Sequence, residues 1–174
     1  LRDALPDSTF EGLDIAPEAI ARAKKRDGIR LRFFNEDFFG TNRRYDLLLI
    51  MDVVEHVPDY LGFLERCHAK ARFKLYHLPL DLHASSVLRA SFLKARKSVG
   101  HLHYFTAESA LASLMDTHDK IIDVAYTDGA LALANLHPSL KRSLANFPRR
   151  LISIFSTPWA ARLLGGYSLL VLAE

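Results

Sequence analysis

The chain has 174 residues and a mass of 19.7 kDa, the usual size of one domain and enough to hide about 70% of its unfolded surface without disulfides or a structural metal. Hydrophobic residues make up 49% and charged residues 25%, which excludes a disordered or collagen-like chain, and the single cysteine, Cys67, excludes a disulfide framework or a multi-cysteine zinc module. A formal charge of +3 makes no case for nucleic acid, which a pI of about 9.1 leaves open.

Short apolar runs alternate with longer amphipathic ones, the pattern of an α/β domain with a mostly parallel sheet flanked by helices. Residues 10–15 (FEGLDI) read as a strand, and 16–25 as a helix with Pro17 in its first turn. Residues 31–34 form a second strand, followed by a polar turn cluster at 40–44. The clearest strand is 46–51 (DLLLIM), whose apolar run predicts burial on both faces in the middle of a parallel sheet. A helix over 60–71, a strand over 73–78 and a basic helix over 82–97 come next. The segment 100–106 leads into a helix over 107–115, N-capped by Thr106. Residues 120–126 are a further strand, 131–164 a helical pair with Pro138 and Pro148 at first turns, and 167–173 the last strand. The helical pair is an insertion before that strand, and the expectation is a single domain over 1–174.

In an open parallel sheet, ligands bind beyond the carboxyl ends of the strands. The residues in that place are Asp14 after the first strand, Asp37 after the second, Met51 and Asp52 after the third, and the stretch 78–83 after the fourth. Asp14 is placed like an acid that holds both ribose hydroxyls of a nucleotide cofactor, or equally like a plain helix cap.

Taken in order, GLDIAPEAIARAKKR at 12–26, NEDF at 35–38, YDLLLIMDVVEHVPD at 45–59, GHLHYFTAESALASLM at 100–115 and GGYSLLVLAE at 165–174 resemble class I S-adenosylmethionine-dependent methyltransferases over nearly the whole chain. The resemblance implies a Rossmann-like fold with a helical insertion before the last strand, and S-adenosylmethionine as cofactor. It implies Asp14 and Ile15 at the cofactor ribose, Asp37 and the Phe38 amide at the adenine, and Met51 packed beside the cofactor. The family's first strand and glycine-rich loop have no counterpart, since the eight glycines contain no G-x-G spacing. A sheet without its central strand leaves two edges unpaired, so a segment on the order of 40 residues is expected ahead of Leu1. The alternative is a methyltransferase-like scaffold that has lost the loop and binds a partner.

The run Asp52-x-x-Glu55-His56 places three side chains on one face if it is helical. Two carboxylates and an imidazole suit a divalent cation. The stretch resembles the E-x-x-E-H metal-binding segment of ubiquinone-biosynthesis O-methyltransferases and of small-RNA 2′-O-methyltransferases. The resemblance adds His101 as a further ligand and magnesium or manganese as the ion, which would lower the pKa of an acceptor hydroxyl. Without metal, His101 or His56 is a candidate general base, and Glu55 and His56 otherwise only orient the helix. His101 and His103 alternate like strand neighbours and cannot both enter one site from a regular strand.

His68, His118 and His137 read as surface residues and Cys67 as packing. The helical pair interleaves Phe147, Ile152, Ile154, Phe155, Trp159 and Leu163 with Arg149, Arg150 and Arg162. That composition suits a lid over an apolar or amphiphilic acceptor, a core cover, a membrane surface or a phosphate contact. No apolar run reaches the roughly 20 residues of a membrane span, and the first ten residues carry no apolar leader, so a cytoplasmic setting is expected. The function expected is methyl transfer to a small-molecule acceptor, most simply at oxygen. A nicotinamide-dependent oxidoreductase is the weaker enzyme alternative, because no Tyr-x-x-x-Lys pair is present. Oligomeric state is not legible.

Overall fold

The computed structural model describes residues 4–129 and 140–174. They form two compact units that divide between Arg43 and Arg44.

In the first unit, strand β1 (Phe10–Asp14) pairs in parallel with β2 (Leu31–Asn35), joined by helix α1 (Pro17–Ala23). Pro17 occupies the first turn of α1, where its missing N–H costs nothing. Gly12 lies so close to the Phe33 ring that a Cβ there would overlap it, which is why the middle of β1 carries no side chain.

The second unit holds a four-stranded sheet in the order β3-β4-β6-β5, with β3 Tyr45–Met51, β4 Ala71–Pro79, β5 Ile121–Thr127 and β6 Ser168–Ala173. β3 and β4 are parallel; β6 runs antiparallel between β4 and β5. The sheet is therefore more mixed than the apolar runs predict, because the last strand inserts between two earlier ones and runs against them. Its connections are α2 (Tyr60–His68), α3 (Ala84–Leu88), α4 (Ser91–Ser98), α5 (Ala107–Asp116), α6 (Leu140–Phe155) and α7 (Thr157–Leu164).

The core of this unit lies on one sheet face. Tyr76 and Leu78 of β4, with Leu169, Val171 and Ala173 of β6, are buried together with Leu64 and Cys67 of α2 and Ala110 and Leu114 of α5. Each fully buried Leu or Val contributes about 1.5–3 kcal/mol. Lys74 shares this buried face, and its ammonium meets the Asp119 carboxylate at 2.8 Å with both side chains 1% exposed. The Tyr76 hydroxyl donates to the other Asp119 oxygen at 2.6 Å. Burial pushes the Cys67 thiol up to about 12 and raises the Tyr76 hydroxyl as well, so both stay neutral.

Several expectations are corrected. The helix over 82–97 is two helices, broken at Ala90, which adopts a left-handed conformation (φ 49°) that an L residue takes at a cost of roughly 1–2 kcal/mol. The helix over 60–71 stops at His68, because β4 already begins at Ala71. Pro148 lies inside α6 and not at a first turn; the first-turn proline is Pro158 of α7, behind the Ser156 cap. β3, expected in mid-sheet, is the edge strand of its own unit, with Leu47, Leu49 and Met51 exposed. His137 and Pro138 lie outside the described residues. Among the described residues, no helix is long and apolar enough to cross a membrane.

Candidate functional site

Each unit brings candidate residues to the carboxyl ends of its parallel strands. In the first, Asp14 ends β1 opposite Asn35, which ends β2 and donates its side-chain amide to the Asp14 carbonyl at 2.9 Å. Asp14 Oδ1 accepts the Ala16 amide at 2.8 Å, and Asp37 Oδ1 accepts the Phe39 amide at 3.0 Å to cap the 3-10 turn Phe38–Gly40. Each acid thus spends one oxygen on a local turn, and its second oxygen has no hydrogen bond from the described residues. Ile15 is 76% exposed beside Asp14. In the second unit, Met51 ends β3 and is exposed.

Beyond Met51 the chain turns sharply. Asp52 is left-handed (φ 52°), and Val54–His56 form a single 3-10 turn. A strand that leaves its sheet this abruptly cannot continue as a helix from Asp52, so the three side chains do not share a helical face. Asp52 instead points to β4, where its carboxylate accepts from Nδ1 of His77 at 2.7 Å; Nε2 of the same ring meets the Thr127 hydroxyl at 3.0 Å. The spacing of the run does not disclose His77.

Glu55 and His56 meet His101 instead. The Glu55 carbonyl accepts the amides of Leu102 and His103 at 2.7 and 3.1 Å, and Nδ1 of His56 donates to the Gly100 carbonyl at 3.2 Å. These bonds strap residues 100–103 to the turn and stack the two imidazoles edge-on with centroids 4.9 Å apart. His101 Nδ1 donates to Asp81 Oδ2 at 2.5 Å. Asp81 falls within 78–83, and nothing in its spacing marks it as that partner. His103 turns away, its Nε2 on the carbonyls of Val57 and Pro58 and its ring on Tyr60.

With Nδ1 of both rings committed as donor, each Nε2 presents a lone pair. They face Glu55 Oε1 at 3.9 Å from His56 and 4.0 Å from His101. The Glu55 side chain is fully buried and neither of its oxygens has a hydrogen-bond partner. Burial, with the Asp52 charge adding to it, raises its pKa above the ordinary carboxylate value. One ligand atom from each of Glu55, His56 and His101 can be chosen so that all lie within 4.8 Å of one another. Three acceptors that converge around a buried carboxylate, His56 from the exposed side and His101 half-buried, are stabilised by a cation. Ligands on one ion at about 2.1 Å stand roughly 3–3.5 Å apart, so a small rotamer adjustment closes the set.

By sequence, no family model and no curated protein matches the chain. By structure it resembles solved methyltransferases. Over 98% of this chain it superposes on 65% of the magnesium protoporphyrin IX methyltransferase of Synechocystis PCC 6803, solved with bound S-adenosylhomocysteine, at a TM-score of 0.60 and 14% identity. An S-adenosylmethionine-dependent methyltransferase from Mesorhizobium loti matches 96% of this chain with 81% of its own length, at 0.62 and 14%. The cyclopropane synthase MmaA2 of Mycobacterium tuberculosis matches 99% with 73% of its own, at 0.63 and 16%. The chain has the Rossmann-like fold of the class I S-adenosylmethionine-dependent methyltransferases, and it spans 65% of the length of the first of these relatives.

Proposed function

We propose that the protein transfers a methyl group from S-adenosylmethionine to an oxygen of a small-molecule acceptor in the cytoplasm. The observation that carries this is the placement of Asp14 and Asp37 at the ends of paired parallel strands, each with one carboxylate oxygen left over, in a fold whose relatives bind this cofactor. In this proposal the second oxygen of Asp14 accepts the ribose hydroxyls beside Ile15, and Asp37 and the Phe38 amide meet the adenine. The cofactor supplies a methyl group already activated on a sulfonium, so alignment of the acceptor provides much of the rate.

Glu55, His56 and His101 would hold a divalent ion over the acceptor. Two imidazoles and one carboxylate suit manganese or zinc better than magnesium, which prefers oxygen ligands. Such an ion would bind acceptor oxygens and lower the pKa of the hydroxyl to be methylated. Asp81 and the Gly100 carbonyl fix the tautomers that aim both Nε2 atoms inward. The same Nε2 of His101 cannot serve as ligand and as general base at once, and the unpartnered Glu55 carboxylate favours the ligand.

The test is calorimetric titration of S-adenosylhomocysteine into the natural chain and into Asp14→Ala, with NAD as control. Stoichiometric binding that weakens at least tenfold in the variant supports the proposal. Binding of NAD alone would make the protein an oxidoreductase, and binding of neither would leave a scaffold. Transfer that needs no metal but collapses in His101→Ala would make His101 the base.

A further inference from the structure

His77 has no part in the cluster of Glu55, His56 and His101, yet it is the middle member of a hydrogen-bonded chain. Its Nδ1 donates to Asp52 Oδ1 at 2.7 Å, and its Nε2 meets the Thr127 hydroxyl at 3.0 Å. Asp52 follows β3, His77 lies near the end of β4, and Thr127 ends β5. These three strands run in the same direction, so all three side chains arrive at the carboxyl ends, where ligands bind in open α/β sheets. They lie on the sheet face turned away from the core, since Tyr76 and Leu78 on either side of His77 are buried in that core.

Ordinary pairing between neighbouring strands does not produce this chain. β6 lies between β4 and β5; His77 is opposite Leu170, whose own partner on β5 is Ala125. Thr127 is therefore two strand spacings from His77, about 9–10 Å, and the ring crosses over β6 to reach it. Asp52 is tied to the same residue twice, because its amide also donates to the His77 carbonyl at 3.1 Å. To do so the chain becomes left-handed at Asp52 (φ 52°), a strained state that gathers at functional sites. With Nδ1–H on Asp52, Nε2 keeps a lone pair. The Thr127 hydroxyl also faces the Ser168 carbonyl, but at 3.4 Å, beyond the usual O–H···O range, so its proton goes to His77. The approach is open: the His77 side chain is 20% and Asp52 57% exposed, and a Cβ added at Gly129, two residues past Thr127, would meet nothing within 4 Å among the described residues.

A carboxylate that orients an imidazole, and an imidazole that accepts from a hydroxyl, make that hydroxyl a nucleophile. We propose that Thr127, His77 and Asp52 form an acyl-transfer centre that hydrolyses thioesters and aryl esters. Thr127 Oγ attacks the acyl carbon while its proton passes to His77 Nε2, and Asp52 stabilises the imidazolium. The bond from Oγ to the acyl carbon forms, the bond to the leaving sulfur or oxygen breaks, and the imidazolium returns its proton to the leaving group. Water then repeats the sequence with His77 as base, releasing the carboxylic acid and restoring Thr127. A positioned base contributes about 100- to 10,000-fold. That gain serves an acyl donor whose leaving group is already good, which selects thioesters and aryl esters over amides. The inference depends neither on methyl transfer nor on a metal.

The test mixes the natural chain with p-nitrophenyl acetate in a chelating buffer and follows nitrophenolate by absorbance. The expected result is a burst of one nitrophenolate per chain, then slower turnover, with the acetyl group located on Thr127 by peptide mass spectrometry. Thr127→Val, which keeps the shape and removes the hydroxyl, should abolish the burst, and Thr127→Ser should retain it. His77→Gln and Asp52→Asn should slow the burst about 100-fold or more. Circular dichroism checks that each variant is folded, and the natural chain alone already decides the first point. Absence of a burst in the natural chain would overturn the inference. So would acetyl groups found only on lysines or the amino terminus, or a burst of equal rate in Thr127→Val or His77→Gln, which would leave the three side chains a structural tie across the sheet.

Discussion

Glu55→Gln separates a metal ligand from a merely structural acid. In the wild type a fully buried carboxylate faces two imidazole lone pairs with no donor on either oxygen. An unpartnered buried polar group costs about 1–3 kcal/mol, and a charge more. Glutamine keeps the shape, removes the charge and offers an N–H to either Nε2. In a chelating buffer Glu55→Gln is therefore expected to be more stable than wild type by about 1–3 kcal/mol, read from urea denaturation. Manganese reverses the order. At a hundred times its dissociation constant, an ion that binds only the native state adds about 2.7 kcal/mol. For a chain of this length that is a Tm rise of roughly 5–10 °C, and the variant should lack most of it. Loss of stability in Glu55→Gln in the chelator, or an equal manganese shift in both proteins, would refute the reasoning and return Glu55 to a structural role.

Asp81→Asn removes the carboxylate that fixes the His101 tautomer from a side chain one-third exposed. Manganese affinity by calorimetry is expected to fall about 10–100-fold, with folding stability changed by less than about 1 kcal/mol. Lys74→Met leaves the buried Asp119 carboxylate with Tyr76 and His68 but without its ammonium and is expected to cost about 3–5 kcal/mol in urea denaturation. The double variant Lys74→Met/Asp119→Leu, which removes both charges of this pair, should recover a large part of that loss.

Element positions were legible because the strands are short apolar runs bounded by Gly, Pro and Asp, and their ends fall within about two residues of expectation. What periodicity lacks is partner and direction. The run at β3 demands burial without saying what supplies it, and β6 reads as one more apolar strand whichever way it runs. Lys74 sits in β4 between apolar neighbours, and nothing near it in sequence announces Asp119, forty-five residues on. In α6 the stripe is visible in the sequence, but a stripe marks a face without marking which way it points. Only the burial of Asn146 and the anchoring of Arg149 show that the apolar side looks outward.

The site divides along the same line. Glu55 and His56 are adjacent and legible; their meeting with His101 rests on backbone bonds from Leu102 and His103 to Glu55, 47 and 48 residues away in sequence. Asp52 fails for a local reason. Spacings of three and four share a face only in a helix already under way, and here the strand must first leave its sheet. That exit uses Asp52 as a left-handed hinge and leaves one 3-10 turn, too short to bring Asp52 back over Glu55. The hinge delivers its carboxylate to His77 instead, which removes an oxygen from the cluster and changes its chemistry. A set expected to hold two carboxylates and two imidazoles becomes two nitrogens and one carboxylate, which moves the proposed ion from magnesium or manganese toward manganese or zinc. The ion proposed for this cluster thus follows from how the chain leaves β3.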